Sequence, residues 1–215
     1  MHDDVNTSPP MPSLREAQIA HTEDRIIAAA TELFLADGYV ATTLEAVARR
    51  AQVGPRTVYV RFGTKAALFK RVVDSAVVGD TLPIPVLERD WAQVARTAPT
   101  ASERIAASAL ITRQIHERAS PLFAVAQQAA AFESLIAAQW EQGREQSRQA
   151  QAAFWSRMAS DGLLDPAVDL DWLIDTAAVI GAAETYLLIT RMLGWDPDTY
   201  QSWIASVFTA ISTPG

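Results

Sequence analysis

The sequence predicts an all-α fold, with a small N-terminal helix-turn-helix domain followed by a larger helical domain. Apolar residues recur at three- and four-residue spacing along most of the 215 residues, and no stretch alternates as a half-buried strand would. Between Thr42 and Lys65, two short apolar-faced segments flank a glycine-proline corner, the pattern of two helices joined by a tight turn. The charge is also uneven. The chain carries a formal −7, yet Ala46 to Val73 holds seven basic residues (Arg49, Arg50, Arg56, Arg61, Lys65, Lys70 and Arg71) and no acid.

Residues 1–20 are polar and proline-bearing without a sustained period, and read as a mobile tail. Thr22–Ala36 reads as a helix, with Thr22 as N-cap, Glu23 and Asp24 in the first turn, and Ile26, Ile27, Ala30, Leu33 and Phe34 as its buried stripe. Asp37-Gly38 ends it, glycine suiting a left-handed C-cap, and Tyr39 and Val40 are expected to fold back over the core. Thr42 and Glu45 have capping-box spacing at the start of the helix Thr43–Ala51, whose inner face is Leu44, Val47, Ala48 and Ala51. The next helix starts at Gly54-Pro55, proline suiting a first helical position, and carries Val58, Tyr59 and Phe62.

Lys65–Val78 follows, with Leu68, Phe69, Val72 and Val73 inward, and Gly79 with DTLPIP makes a stiff linker. This gives a tail over 1–20, a helix-turn-helix domain over 21–80 and a helical domain over 81–215. Within the last, helices are expected at Val86–Arg96, Ala101–Ala119 (closed by Ser120-Pro121), Leu122–Ala138, Gln139–Ser160, Asp169–Leu193 and Pro197–Ile211.

Composition narrows the function. Half the chain is apolar, ample for a packed core. There are no cysteines, which excludes disulfides, thiolate catalysis and cysteine-ligated zinc. No apolar run is long enough for a membrane span, and the N-terminus lacks a basic start and an apolar stretch, so no secretory signal and a cytoplasmic location are expected. His2, His21 and His116 are scattered, and no paired metal ligands, Ser-His-Asp order or phosphate-cradling loop occurs, so neither metal, cofactor nor enzymatic activity is expected. The overall acidity argues against nucleic-acid binding; only the local field of the basic island favours it.

In a helix-turn-helix, the second helix presents its leading residues to base edges while the first crosses the backbone. Here those roles fall on Arg56 and Thr57, with Arg a natural bidentate reader of guanine. Tyr59 and Arg61 reach phosphates or base edges from the flank; Thr43 and Lys65, at helix starts, are phosphate-directed.

The stretch RIIAAATELFLADGYVATTLEAVARRAQVGPRTVYVRFGTKAALF resembles the N-terminal domain of the tetracycline-repressor (TetR/AcrR) family, through Phe34, Gly38-Tyr39, Thr42-Thr43, Ala48, Val53, Thr57, Val58-Tyr59, Phe62, Lys65, Leu68 and Phe69. The resemblance implies a bacterial DNA-binding regulator in which Thr43, Thr57, Tyr59 and Lys65 match usual DNA-contacting positions. Gly54-Pro55-Arg56 departs from the more usual small-polar, basic, small run, and Val60 is less common than a ring or a polar group. Both departures place base preference outside what the family pattern gives. Ala183–Trp203 is similar, more weakly, to the last helix pair of one branch, and the family's C-terminal module dimerises and binds an effector.

One recognition helix reads few base pairs, so a twofold dimer is expected, through a four-helix bundle of 169–193 and 197–211 from each subunit, with Ala177, Ala178, Gly181, Ala182 and Ala183 permitting close approach. Among residues 86–160, Trp91, Thr112, His116, Phe123 and Gln127 are candidates to line an effector pocket, with Phe132, Trp140 and Trp155 as further aromatic walls. The expected function is a repressor released from a palindromic double-stranded operator by a small molecule. The alternatives are a helical ligand- or protein-binding adaptor that does not bind DNA, and an enzyme built on the helical domain.

Overall fold

The computed structural model describes residues 13–82 and 89–213. Ten helices and no strand occur among the described residues. The first, α1 (Leu14–Ala41), starts eight residues before the expected Thr22. Ser13 is its N-cap and forms a capping box with Glu16: Glu16 N–H donates to Ser13 Oγ at 3.3 Å, and Ser13 N–H donates to Glu16 Oε2 at 2.8 Å. Thr22 is thus interior, its hydroxyl donating to the Gln18 carbonyl one turn back. Of the expected tail, residues 14–20 are therefore helical, and 1–12 lie outside the described residues. Gly38, at φ 77°, breaks the helical path; Tyr39 packs back into the core as expected, whereas Val40 stays 68% exposed.

Helix α2 (Leu44–Arg50) is capped by Thr43, whose Oγ1 accepts from Ala46 N–H at 3.1 Å. The expected cap Thr42 is instead buried and donates its hydroxyl to the Gly38 carbonyl, bridging the glycine break. Helix α3 (Pro55–Phe62) opens on its proline, and α4 (Lys65–Val78) has the expected bounds, with Thr64 as N-cap and left-handed Gly79 at its end.

The remaining helices are α5 (Asp90–Thr97), α6 (Ala101–Ala130), α7 (Ser134–Ser160), α8 (Leu170–Ile180), α9 (Ala183–Met192) and α10 (Pro197–Ile211). The expected start of α5 at Val86 falls among residues that are not described. Two expected boundaries are corrected. Pro121 does not end α6: Pro121 and Glu117, whose carbonyl loses its partner, are both on the exposed side, where water can serve the freed acceptor. The break comes at residues 131–133, so the expected division at Ala138–Gln139 lies inside α7. The expected single helix Asp169–Leu193 is two, bent by 45° at Gly181-Ala182. A Cβ at Gly181 would meet the Ala177 carbonyl at 3.1 Å and Gln151 Nε2 at 3.2 Å, so glycine there permits the close approach of α7.

Two cores meet along α6. The first joins Ile26, Phe34, Tyr39, Val47, Val58, Leu68 and Phe69 to Leu122, Ala126 and Ala129 of α6 and Ile136 of α7. Phe34, Tyr39 and Phe69 form its aromatic centre, with Phe34 and Phe69 edge-on at 4.8 Å. The second holds Ile105, Trp155, Met158, Leu173, Ile174, Tyr186, Tyr200, Ile204 and Phe208. Among the described residues no single helix is long and apolar enough to cross a membrane; the bent pair α8–α9 meets length and composition criteria only jointly.

Candidate nucleic-acid interface

Val58 is the buried anchor of α3, set against the core that contains Leu44, Val47 and Ala48 of α2. The corner between the helices is held from outside the motif. Arg25 of α1 donates through Nη2 to the carbonyls of Ala51 at 2.5 Å and Gln52 at 3.2 Å, satisfying acceptors at the C-terminal end of α2. Gln52 itself sits at φ 54°, a conformation that non-glycine residues seldom adopt. Arg25 was not singled out from sequence, because it lies on α1 and its partners are backbone atoms.

With Val58 inward, the outer side of α3 carries Arg56, Tyr59, Val60 and Arg61, all exposed; Thr57 is half-buried. The basic island is less free than its composition suggests. Arg50 pairs with Glu32, Lys70 with Asp74, and Arg71 with Glu23 at 3.1 Å while also donating to the Thr81 carbonyl. Arg56 and Arg61 have no intramolecular partner among the described residues.

Two expected phosphate contacts are differently engaged. Lys65 Nζ donates to the carbonyls of Tyr39 at 2.8 Å and Val40 at 3.3 Å, and lies 4.3 Å from the Tyr39 ring centroid. It serves orphan carbonyls at the end of α1, and burial lowers its pKa. Burial likewise raises the Tyr39 hydroxyl to about 12. The Tyr59 hydroxyl donates to Glu45 Oε1 at 2.5 Å, linking α3 to the first turn of α2. That hydrogen bond is the main cause holding the Glu45 carboxyl below its ordinary value and the Tyr59 hydroxyl above its own. Thr43, exposed at the start of α2, stands beside them.

Among the described residues, those expected at the pocket do not line the cleft at the end of α1. His116 is buried in an aromatic cluster, stacked on Tyr186 at 5.2 Å with Tyr200 at 6.2 Å and Phe123 at 6.4 Å. Its Nε2 lies 3.0 Å from the Gly181 carbonyl. Thr112 donates to the Ser108 carbonyl within its own helix, and Gln127 is exposed, on a different face of α6 from buried Ala126 and Ala129. Phe123 packs edge-on against Trp140 at 5.8 Å, Trp155 is fully buried core and Phe132 is exposed. The Trp91 side chain is not described. That open cleft of about 490 Å³ lies between the end of α1 and Pro121, Val125 and Gln128 of α6, with Arg191 at its edge. No cluster of residues able to hold a metal ion occurs among the described residues.

The arrangement of α1 to α4 has relatives. Residues 26–72 match the family model for bacterial regulatory proteins of the tetR family. That match covers α2 and α3 whole, with the adjoining parts of α1 and α4. A stretch of 61 residues is 42% identical to the HTH-type transcriptional regulator TcmR of Streptomyces glaucescens, covering 28% of this chain and 27% of that relative's length. Over the whole fold, the chain is similar to NalD of Pseudomonas aeruginosa, the secondary repressor of the MexAB-OprM multidrug efflux pump (TM-score 0.64, 21% identity, 90% of this chain and 97% of that one). It is also similar to Salmonella enterica GusR (TM-score 0.62, 15% identity, 89% and 95%). At such identities these likenesses establish the fold. The TetR match stops at residue 72, inside α4.

Proposed function

We propose that this chain is a DNA-binding transcriptional regulator of the TetR family, a dimeric repressor that leaves a palindromic operator when a small molecule binds its helical domain. The observation that carries the reading is the outer face of α3. Arg56 and Arg61 stand exposed and internally unpaired beside Tyr59 and Val60, while the other basic residues of α3 and α4 are engaged within the chain. Arg56 suits a guanine edge, Val60 a thymine methyl and Arg61 a phosphate. Thr43, Thr57, Tyr59 and Lys65 complete the proposed DNA-contacting set, with residues 21–80 as the DNA-binding domain and 81–215 as the effector and dimerisation domain. The chain is read as a non-catalytic, cytoplasmic protein.

Two subunits bring two copies of α3 to one face of the duplex. Val179, Leu188, Met192 and Leu193 of the α8–α9 segment are large, apolar and exposed, which supports a dimer through that segment together with α10. The small residues once expected at this seam serve otherwise in part, since Ala177 and Gly181 are buried within the subunit.

The test is salt-titrated binding to the intergenic DNA beside the gene. The parent chain binds a short palindrome with affinity that falls steeply with salt. Arg56→Ala weakens operator binding by about 1–3 kcal/mol and relaxes the preference at one base pair. Arg61→Ala weakens all duplexes alike and flattens the salt slope by about one. Binding by Arg56→Ala and Tyr59→Ala as tight as the parent's, or no binding to any duplex, rejects the reading in favour of a protein-binding adaptor.

A further inference from the structure

Resting on that reading, one group on the DNA-facing side is of the wrong sign for a phosphate-binding surface. Glu45 is an exposed acid in the first turn of α2, two residues after the Thr43 cap, and it lies just before the acid-free stretch. Its Oε1 accepts the Tyr59 hydroxyl proton at 2.5 Å. The Thr43 hydroxyl also acts on this carboxylate. A tyrosine hydroxyl has one proton to donate. While Glu45 holds it, the Glu45–Tyr59 pair offers outward only oxygen lone pairs and a negative charge. DNA phosphates are likewise acceptors only, so the pair cannot donate to the backbone and repels it.

We propose that Glu45 is a specificity-determining residue of the DNA-binding face. By holding the Tyr59 proton away from phosphate it suppresses sequence-independent binding, leaving Arg56, Val60 and Arg61 to supply affinity where the base edges match. Operator binding then draws on the Tyr59 ring and its lone pairs rather than on a hydroxyl-to-phosphate bond. Glu45 acts through Tyr59 and is a positioning residue.

The experiment is a double-mutant cycle, E45A and Y59F singly and together, read as affinity for a random-sequence duplex across a salt series, with circular dichroism to verify the fold. E45A frees the Tyr59 hydroxyl for a phosphate. Its random-duplex affinity rises about tenfold, while its salt slope changes only by what the lost carboxylate charge contributes. In the Y59F background the same substitution changes the slope equally but gives a smaller affinity gain, because no hydroxyl is freed. Unchanged random-duplex affinity in E45A, or an equal affinity gain in both backgrounds, overturns the proposal, the second result reducing Glu45 to a plain charge. Either result leaves the regulator reading standing if the parent binds its operator. A parent that binds no duplex overturns both.

Discussion

Acidification destabilises the chain before its carboxylates titrate, and His116 is the cause. Burial lowers the His116 pKa from 6.5 to about 4, against a smaller opposite effect of the hydrogen bond to Gly181. Neutral His116 donates Nε2–H to the Gly181 carbonyl, which leaves Nδ1 buried without a partner among the rings of Tyr186, Tyr200 and Phe123. Protonating Nδ1 would place a charge in that apolar cluster. The unfolded chain takes up the proton at 6.5 and the folded chain only near 4. Stability is therefore whole above 6.5 and is lost progressively as pH falls toward 4, by on the order of 3 kcal/mol across the window. Urea unfolding midpoints at the two ends of that window measure it. His116→Phe keeps an aromatic ring in the cluster and removes the titration; its profile stays flatter, and an unchanged profile assigns the acid sensitivity elsewhere.

A comparable loss is expected from Arg104→Ala. Arg104, at the start of α6, is 6% exposed. It donates Nε–H to the Ala98 carbonyl at 2.8 Å and places Nη1 2.7 Å from Asp161 Oδ2, tying α6 to the ends of α5 and α7. Arg104, then Arg157, holds the Asp161 carboxyl below its ordinary pKa. Truncation removes the buried guanidinium and its packed stem together and costs about 3 kcal/mol in unfolding free energy, the low end for a broken buried pair because Asp161 keeps Arg157. Arg157→Ala, on the exposed side of the same carboxylate, costs less than about 1 kcal/mol. Equal effects of the two substitutions would show that burial does not set the contribution.

The sequence was most legible where local chemistry alone decides. The bounds of α4 and α10 follow from signals beside them, Gly79 at one end and Asp196-Pro197 at the other, and match the expectation. Ser13 and Glu16 carry an equally local signal in SLRE, but the strong apolar stripe that marks the helix begins only after Thr22. Pro121 and Gly181 misled in opposite directions for one reason. Whether a proline is tolerated or a glycine breaks a helix depends on what lies alongside: open solvent at Pro121, the approaching Gln151 and the His116 hydrogen bond at Gly181.

At the candidate interface, the exposed positions of Arg56, Tyr59 and Arg61 follow from the three- to four-residue period set by Val58. The engagement of Lys65 with the end of α1 and of Tyr59 with Glu45 is tertiary, between residues 26 and 14 apart in sequence, and no local pattern encodes it. Which residues line an effector pocket is illegible for a related reason. An aromatic at helical spacing reads the same whether it walls a cavity or, as with His116, Tyr186 and Tyr200, fills one.

Helix α6 spans about 45 Å at ordinary helical rise. Its Ile105 and Ala109 belong to one core and its Leu122, Ala126 and Ala129 to the other. Neither half therefore owns a complete interior. Residues 13–82 expressed alone would present to water the apolar side that α6 and Ile136 normally cover, and would melt broadly or associate. The intact chain gives a single calorimetric transition, its two halves as interdependent for solubility as two strands wound on one spindle.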